Sequence, residues 1–276
     1  IYMNFLKRTF KIGKKKTIKK VPDVESLKEK VSIPVTDETI QTSLVLRQAK
    51  TYLVNLLVSN GETLIKMNRN CFDQYNGIRS AIQNTDKQLV YLQYLQHLRQ
   101  TDRVPGGYSQ IDVALEDLIL ASKYQVKTFE NIGIHITKQQ ECLRELLQST
   151  IAIGENKEQL ISSTSNDLES QATKYITIFK RLGDILDKKS EGLDQAVTYS
   201  SQKENIFDAN KECLYTIGVD TSWKRISLLI SLEKSSCKEA HHLSQERKKS
   251  ISSAIILIET HINTLNKSLS YIELQK

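Results

Sequence analysis

Apolar residues recur at steps of three and four along almost the whole chain after residue 36. Over 36–98 the series runs Leu46, Leu53, Leu57, Leu64, Met67, Cys71, Ile78, Ile82, Leu89 and Leu92. That spacing puts the apolar groups on one face of a helix. A stripe sustained over so many turns predicts one long bundle or coiled-coil helix. Thr36 or Asp37 can cap its start, with Glu38 in the first turn. Asn60, Gln74 and Thr85 fall in the same series. Polar residues at seam positions lower stability and fix register.

"RQTDRVPGGYS", 99–109, ends this stretch with Pro105, Gly106 and Gly107 and little apolar content. A second helix is expected from about Gln110 to Ile153, on Ile111, Leu115, Leu118, Phe129, Ile136, Leu143 and Leu147. "IGEN", 153–156, reads as a kink or short turn. A third stretch, about 157–200, uses Leu168, Ala172, Tyr175, Phe179, Leu182, Leu186, Leu193 and Val197. The fourth, about 203–272, uses Phe207, Leu214, Leu232, Leu243, Ile251, Ile255, Ile258, Ile262, Leu265 and Ile272. "TIGVDTS", 216–222, is its weak point, because Gly218 precedes β-branched and capping residues.

No strand pattern competes: there is no sustained period-two alternation, no hairpin turn between strand-like runs and no long repeat. Pro22, Pro34 and Pro105 are the only prolines. Proline breaks helix interiors, so its absence after Pro105 favours long helices with few connections. Aromatic residues are 7% of the chain, with Trp223 the single Trp. Narrow bundles that bury Leu and Ile stripes can manage with that. The expected fold class is therefore all-α: a long antiparallel helical bundle or coiled coil. A helix of about 60 residues would be about 90 Å long. Helices of that length usually bury their stripes against equally long neighbours, often from a second copy, so an elongated dimer is expected.

Charge divides the chain differently. It has 39 Lys+Arg and 32 Asp+Glu, a net of +7. Lys7, Arg8, Lys11, Lys14, Lys15, Lys16, Lys19 and Lys20 supply eight positive charges with no acid among them. The body after residue 20 is left with a net of −1. We accordingly divide the chain into a basic leader and linker, 1–34, and a long-helix domain, 35–276. Such asymmetry points to contact between the leader and a nucleic acid or membrane surface.

Within the leader, Phe5, Leu6, Phe10 and Ile12 interleave with the cations. On a helical wheel Met3, Leu6 and Phe10 cluster, flanked by Lys7, Lys11 and Lys14. Gly13 would end such a helix after about two turns. It would be unstable alone in water but could fold on a membrane, with apolar groups inserted and lysines at anionic headgroups. Each such Lys is worth about 1 kcal/mol. An unstructured tail, a nuclear-localisation or nucleic-acid tail ("KKKTIKK") and a mitochondrial presequence are the alternatives. A tail that needs only charge does not require Phe and Leu, which favours the membrane.

Further basic clusters occur at Lys180-Arg181, Lys188-Lys189, Lys224-Arg225 and Arg247-Lys248-Lys249. Any one of them also fits a mixed-charge helix surface. If the third and fourth stretches form a hairpin turning near residue 200, Lys180, Arg181, Lys188, Lys189, Lys224 and Arg225 edge its end, together with Lys211. These six, with Phe5, Leu6, Phe10 and the leader cations, are the candidate membrane-contact residues.

Catalytic patterns are missing. His97, His135, His241, His242 and His261 form no metal-ligand spacing, and His241-His242 point to different faces of a helix. There is no phosphate-binding loop, dinucleotide fingerprint or nucleophile elbow. Neither catalytic residues nor cofactor nor metal is expected. Cys71, Cys142, Cys213 and Cys237 are scattered singly and read as reduced, buried thiols of an intracellular protein. No run is long and apolar enough for a membrane span.

The combination of a basic amphipathic leader and about 240 residues of heptad-striped helices resembles the BAR superfamily, in particular its N-BAR branch. "FKIGKKKTIKKVPDVE", 10–25, resembles the opening of bridging-integrator-type BAR proteins. "LESQATKYITIFKRLGDILDKKSEGLDQA", 168–196, resembles the BAR second helix. The resemblance implies a homodimer with a central six-helix bundle and projecting arms. It would act in membrane trafficking as a cytoplasmic, peripheral membrane protein that senses or generates curvature on anionic lipid. The body charge of −1 departs from the basic concave face usual in that family, which shifts weight to the leader. A coiled-coil tether that binds other proteins through its stripes is the competing reading. The near-neutral body disfavours nucleic acid as a partner.

Overall fold

The computed structural model describes residues 37–101, 110–212 and 220–274. They are helical almost throughout, and no strand occurs among them. The elements are α1 (Asp37–Ser59), α2 (Gly61–Thr101), α3 (Gln110–Glu155), α4 (Lys157–Ser162), α5 (Ser165–Ala209) and α6 (Asp220–Leu274). The chain divides into one unit of residues 1–42 and another of residues 43–276. In the second unit, α2 packs along α3, α3 along α5 and α5 along α6. Successive long helices are antiparallel. Helices α2 and α6 approach each other closely at only a few places, which leaves a cleft between them.

The first expected helix is interrupted once, at Asn60. Its Nδ2 donates to the Leu56 carbonyl at 3.1 Å while its own carbonyl accepts from Leu64 N–H at 3.0 Å. A side chain bonding to the preceding turn, followed by the weak helix former Gly61, is enough to break the helix there. The break leaves the stripe in phase: Leu53, Leu57, Leu64, Met67 and Cys71 are all buried. Each fully buried Leu contributes about 1.5–3 kcal/mol.

"IGEN" is where α3 ends. Asn156 returns both its N–H and its Nδ2 to the Ala152 carbonyl. After the short α4, Thr164 takes extended backbone angles and its Oγ1 accepts from Asp167 N–H, an N-cap for α5. Lys50, only 7% exposed, ties this corner down by donating to the Ser163 carbonyl.

The third stretch does not end near residue 200. Helix α5 continues to Ala209, where Asn210 caps it with bonds to the Ile206 and Phe207 carbonyls. The expected turn came too early because the apolar spacing followed there does not mark Lys203 as a core position. It sits in the core, fully buried, with Phe207 one turn beyond it. Phe207 therefore belongs to α5, not to the fourth stripe.

In α6, Leu232 and Leu243 are exposed, against expectation. Ile251, Ile258, Ile262 and Leu265 are buried as expected, and the seam runs back from them every seventh residue through Ser244, Cys237, Ile230 and Trp223. Ser244 hid the first half of this seam from a reading that followed apolar residues alone. Leu214 lies outside the described residues, as does the side chain of Ile272.

Two apolar clusters fill the bundle. The larger runs from Leu53 and Leu57 through Phe129, Tyr175 and Leu186 to Ile258 and Leu265. The smaller surrounds Trp223, with Leu92, Leu95, Leu115, Leu118, Phe207 and Ile230. Trp223 meets Tyr91 edge-on at 6.1 Å and Phe207 at 5.8 Å. Between the clusters lies a layer of buried polar side chains.

Candidate functional site

That layer contains Thr85 and Gln88 of α2, Gln125 of α3, Ser200 and Lys203 of α5 and Glu233 of α6. All are buried. Glu233 Oε1 accepts from Thr85 Oγ1 and from Gln88 Nε2, each at 3.2 Å. Lys203 Nζ donates to Gln88 Oε1 at 3.1 Å and lies 3.5 Å from Glu233 Oε2. Gln125 Nε2 donates to Ser200 Oγ at 2.8 Å. Burial pulls the Lys203 ammonium down and pushes the Glu233 carboxyl up, and each opposes the other's shift through its charge. Cys237 beside them is pushed up to about 12, by burial first and Glu233 second.

A second polar layer stands two heptads away. It holds Gln74 of α2, Gln139 of α3, Lys189 of α5 and Arg247 of α6, with Cys71 beside them. The register is the same on every helix. Gln74 precedes Gln88, Gln139 follows Gln125, Lys189 precedes Lys203 and Arg247 follows Glu233, each by the same two heptads. The alternating direction is what antiparallel neighbours require. Lys189, 1% exposed, donates to Gln74 Oε1 at 3.0 Å and to Gln139 Oε1 at 2.9 Å. The two carboxamides therefore turn their oxygens to the ammonium. Gln74 Nε2, Gln139 Nε2 and Arg247 Nη1 are left buried without a hydrogen-bond partner.

The two layers differ in charge. Where the first has Glu233 facing Lys203, the second has Arg247 facing Lys189. Burial draws Lys189 down to about 8, Cys71 pulls the other way and Arg247 adds to the fall. Burial also lowers Arg247 and raises Cys71. Lys189 and Gln74 line the cleft between α2 and α6, about 580 Å³ in volume. Ile132, Ile136 and Leu193 also line it, as do the exposed Leu232 and Leu243.

The sequence-derived surface candidates are distributed as follows. Phe5, Leu6, Lys7, Arg8, Phe10, Lys11, Lys14, Lys15, Lys16, Lys19 and Lys20 lie outside the described residues. Lys180 is exposed and pairs with Glu259 at 3.2 Å. Arg181 is exposed, pairs with Glu145 and donates to Cys142 Sγ at 3.2 Å. Lys188, Lys224 and Arg225 are exposed. Lys189 departs from the expectation: it is enclosed in the core, which takes it out of the surface set. In a doublet on a helix the two side chains point about 100° apart, so one can face the core while the other faces water. The expected cationic hairpin end is also changed, because α5 continues to Ala209. Lys180, Arg181 and Lys188 then sit well back along α5.

Arg247 of the basic triplet is 9% exposed, whereas Lys248 reaches Asp187 at 2.6 Å. His241 faces Asp194 at 3.1 Å and His242 faces Glu246 at 3.9 Å, so the adjacent pair does point apart. Among the described residues no group of His, Cys, Asp and Glu is arranged to hold a metal ion. No helix among them is long and apolar enough to cross a membrane.

Sequence reasoning missed the paired layers. The available signal was the recurrence of polar residues at seam positions two heptads apart on four helices at once. Each helix alone shows only a pair of polar residues in a long stripe. Comparison with known protein families, curated proteins and solved structures finds no match for this chain.

Proposed function

We propose that this protein binds anionic membrane surfaces as a BAR-like helical scaffold, acting as a homodimer and using its basic leader as the anchor. One observation carries this reading, the separation of charge along the chain. Eight cations and no acid lie within residues 1–20, ahead of a helical body of net −1. Body cations such as Lys180, Arg181 and Lys248 are engaged with Glu259, Glu145 and Asp187. Attraction to lipid then falls mainly to the leader, whose Phe5, Leu6 and Phe10 would insert beside the lysines. Sensing or generating curvature would follow from a rigid bundle held against the surface.

Co-sedimentation with phosphatidylserine-rich vesicles tests the anchor. Deleting residues 1–20 is expected to weaken binding at least about tenfold, since several lysines at about 1 kcal/mol each are lost. The helical circular dichroism of the body should stay unchanged. Equal binding with and without the leader would refute the anchor. Mass from light scattering tests the dimer: about 63 kDa is expected, twice the 31.6 kDa chain.

A second reading, a tether that binds other proteins, draws on apolar exposure. Phe72, Tyr75, Val90 and Tyr94 of α2 and Leu228, Leu232 and Leu243 of α6 are all exposed. It requires no vesicle binding at physiological salt.

A further inference from the structure

The Lys189–Arg247 layer lacks the one component that completes its counterpart. Lys203 is answered by the Glu233 carboxylate. Lys189 has the same helical position, donates to two carboxamides where Lys203 donates to one, and has no carboxylate among its contacts. In its place stands a second cation. A lone cation pair in a core is costly, and such charges are ordinarily paired or coordinated.

Hydrogen-bond capacity gives the same answer. An ammonium has three protons, and Lys189 spends one on Gln74 Oε1 and one on Gln139 Oε1. Both carboxamide oxygens are used and both NH2 groups are spare, as is Arg247 Nη1. The layer therefore has a surplus of donors from three helices, α2, α3 and α6, around a fourth helix's ammonium. Gln139 is fully buried and Arg247 is 9% exposed. Access is through the cleft between α2 and α6, which Gln74 and Lys189 line.

We propose that this layer is a binding site for a small monoanion of the carboxylate or halide class. Lys189 and Arg247 supply the charge, and Gln74 Nε2 and Gln139 Nε2 the neutral donors. The bound anion takes the part that the Glu233 side chain plays two heptads away. Asp73 and Glu239 are exposed at the mouth of the same cleft. Their negative charge opposes phosphates and other polyanions. Glu233, also on the cleft wall, is committed to Lys203.

The test uses the full chain at pH 7 and constant ionic strength, with sodium formate as the probe and gluconate, a much bulkier carboxylate, as the balancing anion. Thermal unfolding is followed as formate replaces gluconate, and 13C-formate line width reports binding directly. Formate is expected to raise Tm by about 4 °C near a hundredfold excess over Kd and to broaden in the presence of protein. Arg247→Glu rebuilds the chemistry of the first layer. It is expected to raise Tm in gluconate and to abolish both formate responses. Gln139→Leu removes one donor and is expected to weaken formate binding about tenfold. The proposal is overturned if wild type shows no formate-specific shift or broadening. It is equally overturned if Arg247→Glu keeps the formate response of wild type.

Discussion

The two buried polar layers use the same register on the same four helices, yet one is closed and the other is open. Around Glu233 the ion pair is internal, and what is left over is an acceptor, Gln125 Oε1. Around Lys189 the donors exceed the acceptors and the charge is unbalanced. A polar layer in a bundle core can fix helix register through its hydrogen bonds. Both layers can do that. Only the second has donors left over beside unanswered cations.

Breaking the ion pair should give the largest effect. Lys203→Met leaves Glu233 buried without its cation and is expected to cost about 3–5 kcal/mol. Lys189→Met, at the equivalent place, removes a buried charge that nothing answers. The relief offsets the two lost hydrogen bonds, so a net change within about 1 kcal/mol is expected. Urea unfolding of both variants at pH 7 measures the contrast. Equal losses would show that the layers are energetically alike despite their charges.

The pH dependence separates them next. Lys189 has a lowered value of about 8 in the folded state against an ordinary value of 10.5. The unfolded chain therefore binds more protons between these values, and stability from this group rises with pH across that window. The penalty is complete below about pH 8 and relieved above 10.5, a span of about 3 kcal/mol. Lys189 faces Cys71 and Gln74 of α2, Gln139 of α3 and Arg247 of α6. Cys237 and Tyr175 oppose the trend, each raised to about 12 mainly by burial. Their contribution is present below their ordinary values of 9.0 and 10.0 and is lost as pH rises toward 12. Subtracting the Lys189→Met profile from that of wild type, both in gluconate, isolates the lysine. The difference should climb between pH 8 and 10.5. Saturating formate should flatten it, because a bound anion supports the charged form.

How far such features can be read from sequence depends on which residues carry the stripe. The helical class follows from apolar spacing; the expected break at Pro105-Gly106-Gly107 lies outside the described residues. In the first three stripes most of the expected seam residues are buried, because Leu, Ile and Phe mark those seams without ambiguity. In the fourth, Ser244, Glu233 and Arg247 occupy seam positions, so attention slid to Leu232 and Leu243 on a neighbouring face. Near the end of α5 the buried position is Lys203, which apolar spacing does not mark. Polar residues inside a core look like surface residues until their partners on three other helices are known. Gln74 and Thr85 were legible as polar members of the first stripe, but Lys189 and Glu233, which answer them, are more than a hundred residues away.

The smallest effects concern what holds the layers at their spacing. Gly192 lies on α5 between Lys189 and Lys203, where α3 passes close. A Cβ there would meet Ile132 Cγ1 at 2.8 Å. Ile132 is 1% exposed and has little room to yield. Gly192→Ala is expected to cost about 1–3 kcal/mol through overpacking. Gly183, two and a half turns earlier on the same helix, has nothing within 4 Å of its would-be Cβ. Gly183→Ala should gain about 0.5–1 kcal/mol from helix propensity alone. The two substitutions are chemically identical, so opposite signs in urea midpoints would place the close α3–α5 approach at Gly192. A gain at both positions would mean that α3 can shift outward freely, and that the contact between Gln139 and Lys189 is set by their own hydrogen bond.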